Sequence, residues 1–160
     1  MNIEVVSGHF QVTLFGYRGL IKGGIVHASA KPLMDRMWKE VQERRIKSTG
    51  INHWVYLPDS MIFTGIEMKD LAADVGTLEK LDVSLDRYAR YLHIGPYSTL
   101  GATWSQLMEE LKKRGETPQY PNLEIYGHWN PDESKCETTI VIGLATTQRL
   151  SPTDPASVDS

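Results

Sequence analysis

The chain has 160 residues and a mass of 18.1 kDa, with 41% hydrophobic and 23% charged residues, a net charge of −3 and one cysteine. This balance argues against a disordered or fibrous protein, and the length fits one compact domain or two small fused units. The single thiol excludes an internal disulfide framework and favours a reducing, cytoplasmic location. The small negative charge gives no general attraction to nucleic acid, and no apolar run approaches the ~20 residues of a membrane span.

The first half of the chain predicts a strand, a helix and a hairpin. Residues 10–16 alternate as a strand does, and residues 16–24 form a glycine-rich loop. Residues 31–47 place apolar side chains at three- and four-residue steps, which predicts an amphipathic helix. Residues 52–57 and 61–68 predict two short strands joined by a Pro-Asp-Ser turn.

The second half of the chain predicts similar elements in the same order. Residues 69–86 are charged and are interpreted as a solvated connector. Residues 88–94 then predict a strand, and residues 98–114 predict a helix that begins at a capping serine and is followed by a glycine. Two further strands are predicted at residues 122–129 and 136–145.

Apolar positions of the two predicted helices match in register. Three pairs are each 66 residues apart: Met34 with Leu100, Trp38 with Trp104, and Val41 with Leu107. Chance could align two amphipathic stripes, although matched tryptophans are more informative than apolar spacing. The sequence predicts an α+β fold of two tandem β-α-β-β units, at about residues 3–68 and 85–145, with helices on one face of an antiparallel sheet. Residues 146–160 lack periodicity and predict a flexible tail.

Alternate strand residues face opposite sides of the sheet. If the helices cover the aliphatic side, the other side collects four aromatic residues and two acids: Trp54, Tyr56, Phe63, Tyr126, Glu67 and Glu124. Aromatic walls with carboxylates suit an apolar organic cation, because ring faces attract the cation and an acid balances its charge. The same residues also fit a second interpretation, in which the rings are cross-strand packing pairs and the acids are rim charges.

Several short segments occur in the order expected of a known family. They are Phe-Thr-Gly-Ile-Glu at 63–67, His-Ile-Gly-Pro-Tyr at 93–97, the helix with Trp104, Leu-Glu-Ile-Tyr at 123–126, and the strand at 137–142. This set resembles the GyrI-like family, an effector-binding domain that also occurs behind DNA-binding segments in some AraC-type and MerR-type regulators. The resemblance covers about residues 3–145.

The resemblance implies two fused units with a ligand cleft between them, which in the family binds lipophilic and often cationic drugs. It places the pocket glutamate at Glu124. Aromatic pocket positions fall on Trp54, Tyr56, Tyr126, Tyr97 and Trp104. The leading hypothesis is a stand-alone protein that binds or sequesters lipophilic, cationic drugs or toxins.

Other relatives imply two alternatives. One is a hydrolase of cyclopropane-bearing DNA-alkylating toxins, with Glu124 or Glu67 as its acid or base. The other is a protein that interacts with DNA gyrase. The sequence has no room for a helix-turn-helix ahead of the domain, so we expect no direct binding of nucleic acid. No cofactor is implied, and five histidines and one cysteine show no zinc-binding spacing, so no metal site is expected.

Overall fold

The computed structural model describes residues 1–71 and 73–146, and these form a mixed α and β structure. Its main elements are β1 Glu4–Val6, β2 Phe10–Leu20, α1 Val26–Glu43, β3 His53–Leu57, β4 Met61–Ile66, β5 Glu79–Leu85, β6 Tyr88–Ile94, α2 Leu100–Lys113, β7 Pro118–Tyr126 and β8 Glu137–Leu144. The predicted α+β class is confirmed. Of the predicted tail, residues 147–160 lie outside the described part. Within that part, no helix is long and apolar enough to cross a membrane.

All eight of these strands join one antiparallel sheet in the order β1-β6-β8-β7-β3-β4-β2-β5. The segments β2-α1-β3-β4 and β6-α2-β7-β8 occupy the two halves of the sheet, and β3 pairs with β7 where the halves meet. Strand β1 precedes the first unit in the chain but pairs with β6 of the second unit. Strand β5 directly precedes the second unit but pairs with β2 of the first unit. The sheet therefore carries two β-α-β-β units side by side, with their edge strands exchanged.

The face of the sheet that carries no helix is closed by curling of the sheet itself. Its buried side chains form one apolar cluster: Val12, Leu14, Val55, Phe63, Val83, Leu85, Leu123 and Val141. Leu85 of β5 packs beside Gly143 of β8, and the rings of Phe10 and Tyr88 meet with centroids 5.5 Å apart. Burial of this cluster away from water favours the curl, because the transfer of apolar surface out of water is the main stabilising term in folding.

The two helices cover the outer parts of the other face. Helix α1 packs on β2 and β4 through a cluster that includes Phe15, Met37, Val41 and Ile66. Helix α2 packs on β6 and β8 through a cluster that includes Ala89, Leu107, Leu111, Ile140 and Ile142. The central strands β3 and β7 lie between the helices, and a cleft opens over them.

Two glycines interpreted as loop residues belong to β2, which continues to Leu20. At Gly16, an added Cβ would lie only 1.7 Å from the carbonyl oxygen of Thr64, so the close approach of β4 requires glycine there. At Gly19, an added Cβ would lie 3.0 Å from Leu33. Close approach of the β4 backbone therefore explains Gly16, and packing against the Leu33 side chain favours a small residue at position 19. The loop itself is shorter than predicted.

Other boundaries also differ from the sequence prediction. Helix α1 begins at Val26, earlier than predicted. The fully buried Ala30 packs beside Trp54 and extends the apolar stripe of the helix towards its N-terminus. The predicted connector contains β5, whose apolar residues alternate with charged or polar ones as suits an edge strand. A short 3-10 turn, Tyr97–Thr99, precedes α2, and no side chain caps this helix. Strand β1 was not predicted, and three residues carry too weak a pattern to predict it.

Candidate functional site

The cleft between α1 and α2 has a volume of about 840 Å³, and seven tyrosine and tryptophan side chains contribute to its lining. These are Trp54, Tyr56, Tyr97, Trp104, Tyr120, Tyr126 and Trp129. Its size lies within the usual range for sites that take drug-sized ligands, roughly 300–1,000 Å³. The cleft floor is made of strands, whose pairing holds the side chains in fixed positions.

Glu124 lies on the floor of this cleft with only 3% of its surface exposed. It is directly opposite Trp54 in the pairing of β7 with β3. Its Oε1 accepts hydrogen bonds from the hydroxyl of Tyr56, at 3.0 Å, and from the hydroxyl of Tyr126. Its Oε2 accepts a bond of 2.5 Å from Nε1 of Trp104. Among the described residues, no Lys, Arg or His forms an ion pair with this carboxylate.

The two phenols that contact Glu124 are held in their protonated form. Burial raises the pKa of Tyr56 far above its ordinary value, and the charge of Glu124 and the hydrogen bond to it raise it further. The same causes, with burial again the largest, raise the pKa of Tyr126. Both hydroxyls are therefore stable hydrogen-bond donors to the carboxylate.

Edge-to-face contacts fix the aromatic walls around the acid. The ring of Tyr126 meets Trp54 with centroids 5.2 Å apart and Tyr97 with centroids 5.6 Å apart. The rings of Tyr56 and Trp104 meet at 5.7 Å. Such pairs hold aromatic rings at steep angles and add about 0.5–1.5 kcal/mol each to their burial. The arrangement combines a single buried negative charge with rigid aromatic surfaces, which is an environment that can accept an organic cation.

A second polar side chain, Asn52, lines the cleft just before β3. Its Oδ1 accepts a hydrogen bond of 2.7 Å from Nε1 of Trp38 on α1. This bond resembles the one from Trp104 on α2 to Glu124. The sequence prediction missed Asn52, although the matched tryptophans could have indicated that Trp38 also has a polar partner on the sheet.

The structure brings six of the eight predicted site residues together in the cleft: Glu124, Trp54, Tyr56, Tyr126, Tyr97 and Trp104. The cleft lies on the helix-bearing face, whereas the strand pattern predicted the opposite face. Phe63 pairs with Val55 and is fully buried in the core on the side away from the cleft. Glu67 follows the end of β4 and is exposed outside the cleft. The prediction assumed that Phe63 and Glu67 lie on the same face of the sheet as Trp54, and this assumption was wrong. Trp54 pairs with Thr64 on β4, so Thr64 and not Phe63 shares its face.

The mouth of the cleft contains residues that strand faces alone could not identify. His27 comes from the first turn of α1, and its ring lies 6.2 Å from that of Trp54. His128 and Trp129 come from the segment after β7, and Trp129 is 70% exposed. In residues 1–71 and 73–146, no group of three His, Cys, Asp or Glu residues is placed so that it could hold a metal ion.

Neither a known sequence family nor a curated protein matches the chain. Its fold does match solved structures. The structure of SAV2435 bound to tetraphenylphosphonium aligns with a TM-score of 0.66 at 14% identity, over 94% of this chain and 98% of that one. The C-terminal domain of EcmrR aligns with a TM-score of 0.70 at 17% identity, over 91% of this chain and 99% of that one.

A third solved structure is a hydrolase from Listeria innocua. It aligns with a TM-score of 0.52 at 12% identity, over 89% of this chain and 91% of the hydrolase. At such identities, the likeness to all three proteins shows a shared fold. The architecture that the resemblance implied, with a cleft between two β-α-β-β units, is confirmed.

Proposed function

We propose that this protein binds lipophilic, cationic small molecules in the cleft between α1 and α2. The observation that carries the proposal is the buried carboxylate of Glu124, which accepts three hydrogen bonds but forms no ion pair with any of the described residues. SAV2435, which has the same fold, is a protein seen with tetraphenylphosphonium bound. That cation matches the two features of this cleft, an aromatic wall and a buried acid.

Simple energetics support a cation as the ligand. A buried carboxylate is costly unless it is paired, and neutral donors compensate only part of that cost. A cation that enters the cleft completes the pairing and gains about 0.5–2 kcal/mol over each suitable aromatic face. Apolar groups around its charge would bury surface against Trp54, Tyr97 and Met108, at roughly 25 cal/mol per Å².

The test is a titration with tetraphenylphosphonium, measured by calorimetry, on the unchanged protein and on Glu124→Gln. We expect the substitution to weaken binding by about ten- to a hundredfold, because it removes a unit charge a few ångströms from the ligand. Glu109→Gln is the matched control, since it makes the same charge change on the exposed side of α2. Circular dichroism shows whether each variant is folded. Equal affinities for the Glu124 variant and the parent would refute the proposal.

A second candidate function is hydrolysis of a strained electrophile. It is favoured by the position of Glu124 beside two protonated phenols. In this reaction a water oxygen would bond to a cyclopropane carbon while Glu124 accepts the water proton. The ring C–C bond would break, and its electron pair would pass to a conjugated carbonyl that is then protonated. Product formation beyond one equivalent of protein would support hydrolysis, whereas stoichiometric protection would support binding alone.

The geometry favours binding over hydrolysis. Three donors already occupy most of the roughly four acceptor positions of the Glu124 carboxylate, so a water molecule would have to use the one that remains. The raised pKa values of Tyr56 and Tyr126 also make these phenols poor proton donors to a leaving group. Both features favour a binding role for this cluster over a catalytic one.

A further inference from the structure

Each helix of the cleft places an indole N–H on a polar side chain of the central strands. Trp104 of α2 donates to Glu124 on β7, and Trp38 of α1 donates to Asn52 just before β3. The two tryptophans are 66 residues apart, at matching places in the two units. The indole of the first unit therefore has a neutral amide as its partner, whereas the indole of the second unit has a carboxylate.

Hydrogen-bond chemistry fixes the orientation of the Asn52 amide. An indole nitrogen can only donate, so the atom that faces Trp38 must be the amide oxygen. The amide nitrogen, with its two N–H donors, then points elsewhere, and no described residue accepts a hydrogen bond from it. Asn52 is half-buried and lines the cleft. Trp38 therefore holds Asn52 as a donor for the contents of the cleft.

The distance between the two polar positions follows from strand pairing. The backbone N–H of Tyr126 donates to the carbonyl of Asn52 at 2.9 Å, so these residues face each other across the strand pair. Glu124 is two residues from Tyr126 on the same face of β7. Diagonal neighbours of this kind are about 7 Å apart. A ligand of drug size can reach both groups at once.

We propose that the cleft selects cations that also carry a neutral hydrogen-bond acceptor, such as a ketone, ester, amide or ether oxygen, a few bonds from the charge. This inference rests on the proposed function and adds a specificity-determining residue to it. Glu124 takes the charge and the Asn52 amide nitrogen donates to the acceptor. A cation without an acceptor leaves that amide unpaired when it displaces water, which lowers its affinity relative to an acceptor-bearing cation.

The test compares two cations that differ in one group. They are pentyltriphenylphosphonium and its analogue with a ketone in the pentyl chain, and the measured quantity is the ratio of their dissociation constants. We expect Asn52→Leu to reduce the preference for the ketone by about three- to tenfold, the usual worth of one neutral hydrogen bond. The free energy of hydrating the ketone is the same for every protein variant, so it cancels when the ratio is compared between variants. Glu124→Gln should weaken both cations equally.

A second variant separates the donor from the anchor. Asn52→Asp keeps an oxygen for Trp38 but removes the N–H donors, and its added charge acts on both cations alike. The preference for the ketone should fall in this variant as it does in Asn52→Leu. A preference that is unchanged in Asn52→Leu, or that is retained in Asn52→Asp, would overturn this inference while the proposed function stands. Failure of the parent protein to bind either cation would overturn both.

Discussion

Trp54 of β3 and Glu124 of β7 are direct cross-strand partners at the junction of the two halves. The acid is also tied to α2 through Trp104 and to β3 through Tyr56. The candidate site is therefore built from the same contacts that join the halves of the fold. Glu124, Tyr56 and Tyr126 sit on paired strands rather than on loops, which keeps them in place before a ligand arrives.

The first prediction compares the two indole hydrogen bonds. Trp104→Phe removes a bond to a charged carboxylate, and Trp38→Phe removes a bond to a neutral amide. Both substitutions replace an indole by a phenyl ring, so the loss of ring surface contributes about equally to the two losses of stability. We expect the free energy of unfolding to fall further for Trp104→Phe, by about 1.5–3 kcal/mol for its hydrogen bond, against about 0.5–1.5 kcal/mol for Trp38→Phe.

Urea unfolding followed by circular dichroism measures the two losses. Equal losses, or a larger loss for Trp38→Phe, would contradict the prediction. Such a result would mean that the carboxylate gains no more from its indole donor than the amide does.

The second prediction concerns alkaline pH. The folded-state pKa of Tyr56 and of Tyr126 is raised above the value of about 10 in an unfolded chain. Above pH 10 the unfolded state loses these two protons while the folded state keeps them. Stability that is fully present below pH 10 is therefore lost as pH rises, by roughly 1.4 kcal/mol per pH unit for each phenol.

The check is the free energy of unfolding against pH for the parent and for the double variant Tyr56→Phe with Tyr126→Phe. Other groups titrate in both proteins, so only the difference between the two slopes is informative. The double variant should lose stability less steeply above pH 10. Parallel curves would show that the two phenols ionise as easily in the folded protein as in the unfolded chain.

Local patterns in the sequence predicted much of the site. Alternation along β7 placed Glu124 and Tyr126 on one face, and alternation along β3 did the same for Trp54 and Tyr56. The matched helical stripes placed Trp104 in the second unit. The two strand faces depend on residues a few positions apart, so the periodicity of one element is enough to find them. The pocket role of Trp104 comes only from the family resemblance.

Relations between distant segments could not be predicted in the same way. The register that sets Trp54 opposite Thr64 determines the face of Phe63, and no local pattern specifies it. The curl of the sheet buries the face that carries Phe63, although no helix covers it. Curling depends on how eight strands twist together, so the sequence of one strand does not reveal which side of the sheet needs a helix.

The third prediction concerns salt. Glu124 is almost fully buried, and salt screens buried charge pairs much less than exposed ones. The useful quantity is the ratio of tetraphenylphosphonium affinities of the parent and Glu124→Gln, because it isolates the contribution of this one carboxylate. We expect that ratio to change by less than about twofold when the ionic strength rises tenfold. The weak general attraction from a net charge of −3 is screened alike in both proteins and largely cancels. Calorimetric titrations at low and high salt provide the four affinities. A ratio that falls steeply towards one in high salt would mean that the cation meets Glu124 in bulk solvent, and the proposed cleft would then not be its binding site.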